Sequence, residues 1–215
     1  MDPNTDPSQH LFWLASRATG VVAMVLVALS VGIGLAMSGR IVRSPGVPAQ
    51  MKVIHESLAL TSLVAIAAHG LLLLGDGFLH PSLGEIVLPF AMHGQPAWTG
   101  LGIIGGWLAA ILGLSFYVRR WIGVGVWRWM HRWTLLVYVL AIAHTLGSGT
   151  DARSWWLVAI LAITALPIVF AGTYRYLPGR RTREGRVAGT PRRTAPVGSD
   201  RPARELPGPA ADGVP

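Results

Sequence analysis

Residues 53–74 read VIHESLALTSLVAIAAHGLLLL, and residues 129–147 read WMHRWTLLVYVLAIAHTLG. Each stretch is apolar and carries two histidines: His55 and His69, 14 residues apart, in the first, and His131 and His144, 13 apart, in the second. An α-helix rises about 1.5 Å per residue, so each pair is separated by roughly 20 Å along its axis. That is most of a hydrocarbon core of about 30 Å. Two such helices side by side offer paired imidazoles at two levels of a bilayer. Ionisable groups inside a membrane are costly and are functional candidates by default, and imidazole is a common axial ligand of haem iron. The pattern predicts two stacked bis-histidine sites, with His55, His69, His131 and His144 as iron ligands.

Working outward, the whole chain has the composition of a membrane protein. Of 215 residues, 52% are hydrophobic and only 13% charged, which is low for a soluble domain. There is no cysteine, which excludes disulfides, cysteine-held iron–sulfur clusters, thiolate haem and covalent CxxCH attachment. Any haem is therefore expected to be of the b type, two per chain, held without covalent bonds. The N-terminal MDPNTDPSQH is polar and acidic, with no basic segment, so it does not read as a signal peptide. No nucleotide-binding GxGxxG unit is expected, and nothing points to nucleic acid.

Five segments are long and apolar enough to suggest crossings, at about 12–38, 53–75, 97–118, 131–148 and 154–176. The expected fold is an all-α, five-helix transmembrane bundle holding two haems, followed by a disordered basic tail. Pro167 lies within the fifth segment and predicts a kink. Arg40, Arg43 and Lys52 flank the first connection, Arg119, Arg120, Arg128 and Arg132 flank the third, and Arg175 follows the last span. The second connection carries Asp76 and Glu85 and no Lys or Arg. The positive-inside rule then puts the N-terminus outside and the C-terminus in the cytoplasm of a cell carrying this multi-pass protein in its inner or plasma membrane. Five spans demand the same result. Spans two and four run parallel, with His55 and His131 towards the cytoplasm and His69 and His144 towards the outside. The tail, 178–215, holds eight Arg and seven Pro and cannot bury enough apolar surface to fold alone.

One spacing resists an ideal helix. At 100° per residue, a 14-residue step returns to within about 40° of the same face, whereas a 13-residue step misses by about 140°. Span four is therefore expected to contain a bulge or kink, or to place His131 in a distorted first turn. Among the other polar residues, Arg17, in LFWLASRATG, lies about a turn and a half inside span one. It is a candidate partner for a propionate of the outer haem, since Arg binds carboxylates bidentately; snorkelling to headgroups is the alternative. His10, His80 and His93 read as surface residues. The nine tryptophans mostly cluster at expected interfaces as an aromatic belt.

The spacing of His55/His69 and His131/His144 resembles the ferric reductase-like transmembrane domain. That domain is shared by ferric reductases, NADPH oxidases and the haem-binding membrane subunit of the bacterial methionine sulfoxide reductase system. VRRWIGVGVWRWMHRWTLLVYVLAIAH, at 118–144, is similar to the family's basic loop and second ligand helix. LPFAMHGQPAWTGLGIIGGWL, at 88–108, is similar to the bacterial branch's outer loop and next helix, and SRATG, at 16–20, resembles the first core helix, where an Arg approaches the outer haem. The resemblance covers 11–177, between an extracytoplasmic segment, 1–10, and the tail.

What the resemblance implies is a stand-alone bacterial member, the membrane haem subunit of an oxidoreductase. Its family relatives with cytoplasmic FAD and NAD(P)H domains continue beyond the last helix, where this chain has a short tail. It is therefore expected to need a partner: a cytoplasmic flavin reductase or a membrane quinone as donor, and ferric iron, a flavin-binding protein or another reductase as the extracytoplasmic acceptor. A flavin is possible on such a partner or at a membrane surface. Oxygen-reducing members carry a further His one turn after the outer ligand, where this chain has Leu73, which argues against superoxide production. The alternatives are a haem-free protein that moves metal ions or protons, or a membrane anchor whose tail recruits a partner.

Overall fold

A computed structural model of the chain describes residues 10–39, 44–77, 79–149 and 151–176, with backbone alone at 174–176. Among these residues there is no strand. The helices in order are α1 (Leu11–Ser38), α2 (Val47–Leu72), α3 (Leu83–Val87), α4 (Pro96–Ile122), α5 (Val124–His131), α6 (Thr134–Ser148) and α7 (Trp155–Tyr176). A 3-10 turn, Leu73–Gly75, extends α2. Arg40, Arg43, the side chain of Arg175 and the expected tail, 178–215, lie outside the described residues.

Four helical stretches are long and apolar enough to cross a membrane by length and composition: Leu11–Ser38, Val47–Gly75, Pro96–Ile122 and Trp155–Thr173. Their outward side chains are large and apolar. Val64, in the middle of α2, and Ile163, in α7, are each 70% exposed, and Leu166, Val169 and Phe170 are exposed with them. Contiguous apolar surface of this extent is not left facing water; it suits lipid. The molecule is an all-α membrane protein in that sense. The fourth expected span is different. It is observed as α6, of 15 residues, about 22 Å long, preceded by the separate short helix α5.

The local sequence accounts for the ends of these helices. α2 and α4 begin with Pro in their first turn, where the missing N–H has no helical partner to lose. Gly46, before α2, and Gly123, between α4 and α5, have φ of +80° and +89°, a conformation that favours glycine. At Gly123 this turns the chain sharply, so that α5 is a new helix and not an extension of α4. α7 is continuous through Pro167.

α1 is the central element. Its Val27, Ala28 and Val31 form the core with Leu112 of α4, Val137 and Tyr138 of α6 and Ile168 of α7. α1 packs most closely on α2 and α4 on α6, whereas α2 and α6 are not among the closely packed pairs. The Tyr138 hydroxyl lies 2.7 Å from Thr164 Oγ1 and joins α6 to α7. α3 is held to α4 by the Trp107 indole N–H, which donates to the Val87 carbonyl at 2.9 Å.

α3 starts with a capping box. Ser82 Oγ accepts from the Glu85 N–H, and a Glu85 carboxylate oxygen accepts from the Ser82 N–H at 2.8 Å. The other oxygen lies 2.5 Å from His93 Nδ1. The Ser82 backbone bond, and after it the His93 side chain, push the Glu85 carboxyl from an ordinary 4.5 down to about 2. A carboxylate depressed in the folded state contributes stability above its unfolded pKa and loses it as pH falls through the folded value. The cap is therefore expected to persist from pH 4.5 down to about pH 2, in contrast to an ordinary glutamate. Carbon-detected NMR of the Glu85 carboxyl in detergent checks this; a midpoint near 4.5 would contradict it.

Candidate functional site

The four histidines meet in the two pairs that their spacing predicts. The rings of His55 and His131 have centres 6.0 Å apart with planes at 87°. Those of His69 and His144 are 6.1 Å apart at 72°. A metal–imidazole bond is about 2 Å long and the ring nitrogen lies about 1.2 Å from the ring centre, so two imidazoles on opposite sides of one metal have centres roughly 6–6.5 Å apart. Both pairs have that separation.

The second nitrogen of each ring decides which nitrogen faces the partner. His69 Nδ1 lies 2.7 Å from the Ser16 carbonyl oxygen, His55 Nδ1 lies 2.9 Å from that of Ser30, and His144 Nδ1 lies 3.0 Å from that of Trp98. A carbonyl only accepts, so the proton sits on Nδ1 and Nε2 keeps its lone pair. This is the arrangement of a metal-ligating histidine, whose other N–H is usually donated to a carboxylate or carbonyl. Ser16 also returns a bond from its hydroxyl to the His69 carbonyl at 2.8 Å, and is itself almost wholly buried.

A carbonyl inside a helix is already bonded along the axis, and the side chain four residues later normally covers its flank, because Cβ atoms lean towards the N-terminus. The three carbonyls used here are open because that later residue is glycine in each case: Ser16 with Gly20, Ser30 with Gly34, Trp98 with Gly102. A Cβ on Gly20 would stand 2.8 Å from His69 Nδ1, one on Gly102 2.6 Å from His144 Nδ1, and one on Gly34 3.3 Å from the His55 ring. On α1 the two cradles, SRATG and SVGIG, are 14 residues apart, the same interval that separates His55 from His69. Sequence reasoning missed this repeat, although the equal spacing was its signal.

His131 differs. It ends α5, stacks on the Trp127 ring at 5.2 Å and 28°, and its buried Nδ1 has no hydrogen-bond partner. The interruption expected from the 13-residue step lies at Arg132–Trp133, where α5 stops and α6 starts. The break allows both His131 and His144 to face α2, which a straight helix would forbid.

Arg17 lies on α1 beside Ser16, at the level of the His69/His144 pair. Its guanidinium forms an ion pair with Asp151 and covers the Trp13 ring at 4.8 Å. Asp151 is a partner that the sequence did not indicate. Near the other pair, Lys52 and Arg119 lie 5.8 and 3.8 Å from the centre of the Phe116 ring. His93 is engaged by Glu85, His80 has a positive φ of 41°, and His10 precedes α1; none of the three joins either pair.

Comparison of the chain with protein-family models, with curated proteins and with solved structures returns no match. The functional reading stands on the geometry of the two pairs.

That geometry makes a graded expectation. Gly20→Ala and Gly102→Ala push a ring off its carbonyl and lower stability by about 1–3 kcal/mol through overpacking and a lost buried hydrogen bond. Gly34→Ala, where the approach is looser, has a smaller effect. Gly172→Ala meets nothing within 4 Å and is neutral to slightly stabilising, as a helical Gly→Ala change ordinarily is. Thermal unfolding of the four variants in detergent reads the order directly.

Proposed function

We propose that the chain is a transmembrane electron-transfer protein that holds two b-type haems, one between His55 and His131 and one between His69 and His144. The observation that carries this reading is the pair of imidazole–imidazole separations, 6.0 and 6.1 Å, together with the carbonyl anchors that leave Nε2 of His55, His69 and His144 facing inward. Haem supplies a one-electron couple at each site. The protein supplies the rest: it aims the four nitrogens, excludes water with the apolar faces of α1, α2, α4 and α6, and fixes the distance between the two levels by the rise of α2. Held by two imidazoles at each site, haem would supply electron transfer in preference to chemistry on a bound ligand.

In this reading α5 and α6 together act as the fourth of five crossings, with the N-terminus outside and the C-terminus in the cytoplasm. The chain is then a relative of the ferric reductase-like transmembrane domain. A cytoplasmic flavin reductase or a membrane quinone would serve as donor at the His55/His131 side, and ferric iron, a flavin-binding protein or a reductase would serve as extracytoplasmic acceptor at the His69/His144 side. Arg17 stands one residue from Ser16, at the level of the outer pair, where its guanidinium suits a propionate in addition to Asp151.

The test is the visible spectrum of the detergent-purified protein, oxidised and dithionite-reduced, with a pyridine haemochrome count. About two b haems per chain are expected, falling to about one in His69→Ala or His144→Ala. A colourless protein, made with ample haem supply, overturns the proposal in favour of proton or zinc transport.

A further inference from the structure

We propose that the two sites are electronically unequal, and that the group held by His55 and His131 has the higher reduction potential, so that an electron in the protein rests there. This rests on the haem reading above. It follows from a difference between the four histidines that the pairing alone does not reveal.

A hydrogen bond from Nδ1–H to a carbonyl gives the imidazole ring partial imidazolate character. Nε2 becomes the stronger donor, which favours the oxidised metal and lowers its potential. Both imidazoles of the His69/His144 pair make this bond. In the other pair only His55 makes it, and His131 Nδ1 is buried with no partner.

The cause lies in α4. On α1, a step of 14 residues leads from one cradle, Ser16 and Gly20, to the next, Ser30 and Gly34. The same step along α4, from Trp98 and Gly102, reaches Leu112 and Phe116. Phe116 brings a side chain to the place where the cradle needs glycine. The Ser115 hydroxyl donates to the Leu112 carbonyl at 2.7 Å, as the Thr19 hydroxyl does to the Ser16 carbonyl at 2.9 Å, so what α4 lacks at this level is the glycine. His131 is left to the neutral indole of Trp127, whose own Nε1 is likewise without an acceptor.

The surrounding charge works in the same direction. Lys52 and Arg119 both lie over the Phe116 ring, which meets Trp127 edge-on at 6.0 Å. Against these two cations stands one carboxylate, Glu56, next to His55 and bonded by the Tyr117 hydroxyl at 3.0 Å. At the other pair, Arg17 and Asp151 offset each other. An excess of positive charge favours the reduced state. The internal step is then one electron leaving the His69/His144 site, which is oxidised, for the His55/His131 site, which is reduced; no bond forms or breaks and no proton moves. Flow in the opposite sense is driven by the external acceptor and not by the internal step.

Spectroelectrochemistry of the full-length, haem-loaded protein reads this, with low-temperature EPR to assign the sites. Two redox components are expected. His131→Ala should remove the low-spin signal of the higher-potential one, and His144→Ala that of the lower. Because loss of a ligand can unfold its surroundings, Phe116→Gly compared with Phe116→Ala provides a second arm: both remove the ring beneath Lys52 and Arg119, only glycine opens the flank of the Leu112 carbonyl, neither changes a ligand, and glycine should lower the higher-potential component further than alanine does. The reverse assignment, a single component for both sites, or equal potentials in Phe116→Gly and Phe116→Ala overturns the inequality while leaving the two-haem reading intact. A protein without haem overturns both.

Discussion

The bond from an imidazole Nδ1–H to a carbonyl in the middle of a neighbouring helix is the interaction on which this structure depends. An imidazole surrounded by apolar helices has lost its water, and burying such a group without a partner costs about 1–3 kcal/mol on the scale of protein mutations. A side-chain acceptor would itself have to be buried; the Ser16 and Ser30 hydroxyls lie 3.1 and 3.2 Å from Nδ1 of His69 and His55, farther than the carbonyls of the same residues. The helix backbone is the one acceptor always present, and it is reachable only where the covering side chain is absent. Glycine at the fourth position after the carbonyl meets that need at Gly20, Gly34 and Gly102. Each of these contacts sets three things at once: the distance between two helices, the direction of the ring, and the nitrogen that keeps its lone pair.

The two cradles of α1 show why the intervals agree. Fourteen residues make nearly four turns, so Ser16 and Ser30 share one face of α1, and His55 and His69 share one face of α2. The helices run antiparallel, since the later histidine meets the earlier serine, and equal intervals keep both levels in register along the whole contact. α1 can serve both levels only because it lies at the centre. Its Val27, Ala28 and Val31 are buried between them against α4, α6 and α7. α2 turns Val64 outward and packs chiefly on α1, where the histidine anchors and the small residues around them set the contact.

Much of this was legible in the chain itself. The length and apolarity of α1, α2, α4 and α7, and the pairing of His55 with His131 and of His69 with His144, follow from helical rise and residue counting. What was not legible has a common physical origin. A backbone carbonyl has no letter of its own, so the cradles could be found only through their glycines, and glycine is frequent in membrane helices for other reasons. The ion pair between Arg17 and Asp151 joins α1 to the connection before α7, a contact that no local pattern encodes. The expected fourth span, 131–148, begins three residues before α6, because a largely apolar stretch carries no mark of where the helical hydrogen bonds change partners.

That change of partners is where the 13-residue interval is absorbed. A turn missing from a membrane helix exposes N–H and C=O groups that lipid cannot satisfy, yet at this break they find partners locally. The Arg132 and Trp133 N–H groups donate to the carbonyls of Trp129 and Met130, the Leu136 N–H donates to Trp133, and the Thr134 hydroxyl donates to the His131 carbonyl at 2.9 Å. The break thus rotates His131 towards α2 without leaving these backbone groups exposed. Its cost falls on the imidazole. A ring at the last residue of a short helix is aimed by that helix and by the Trp127 stack, not by a carbonyl across the way. With Phe116 closing the flank of α4, no carbonyl is offered. Of the four paired histidines, the one that stands at the break in the 13-residue interval is also the one whose Nδ1 is left without an acceptor, and both features arise from the same local departure from the pattern that α1 repeats twice.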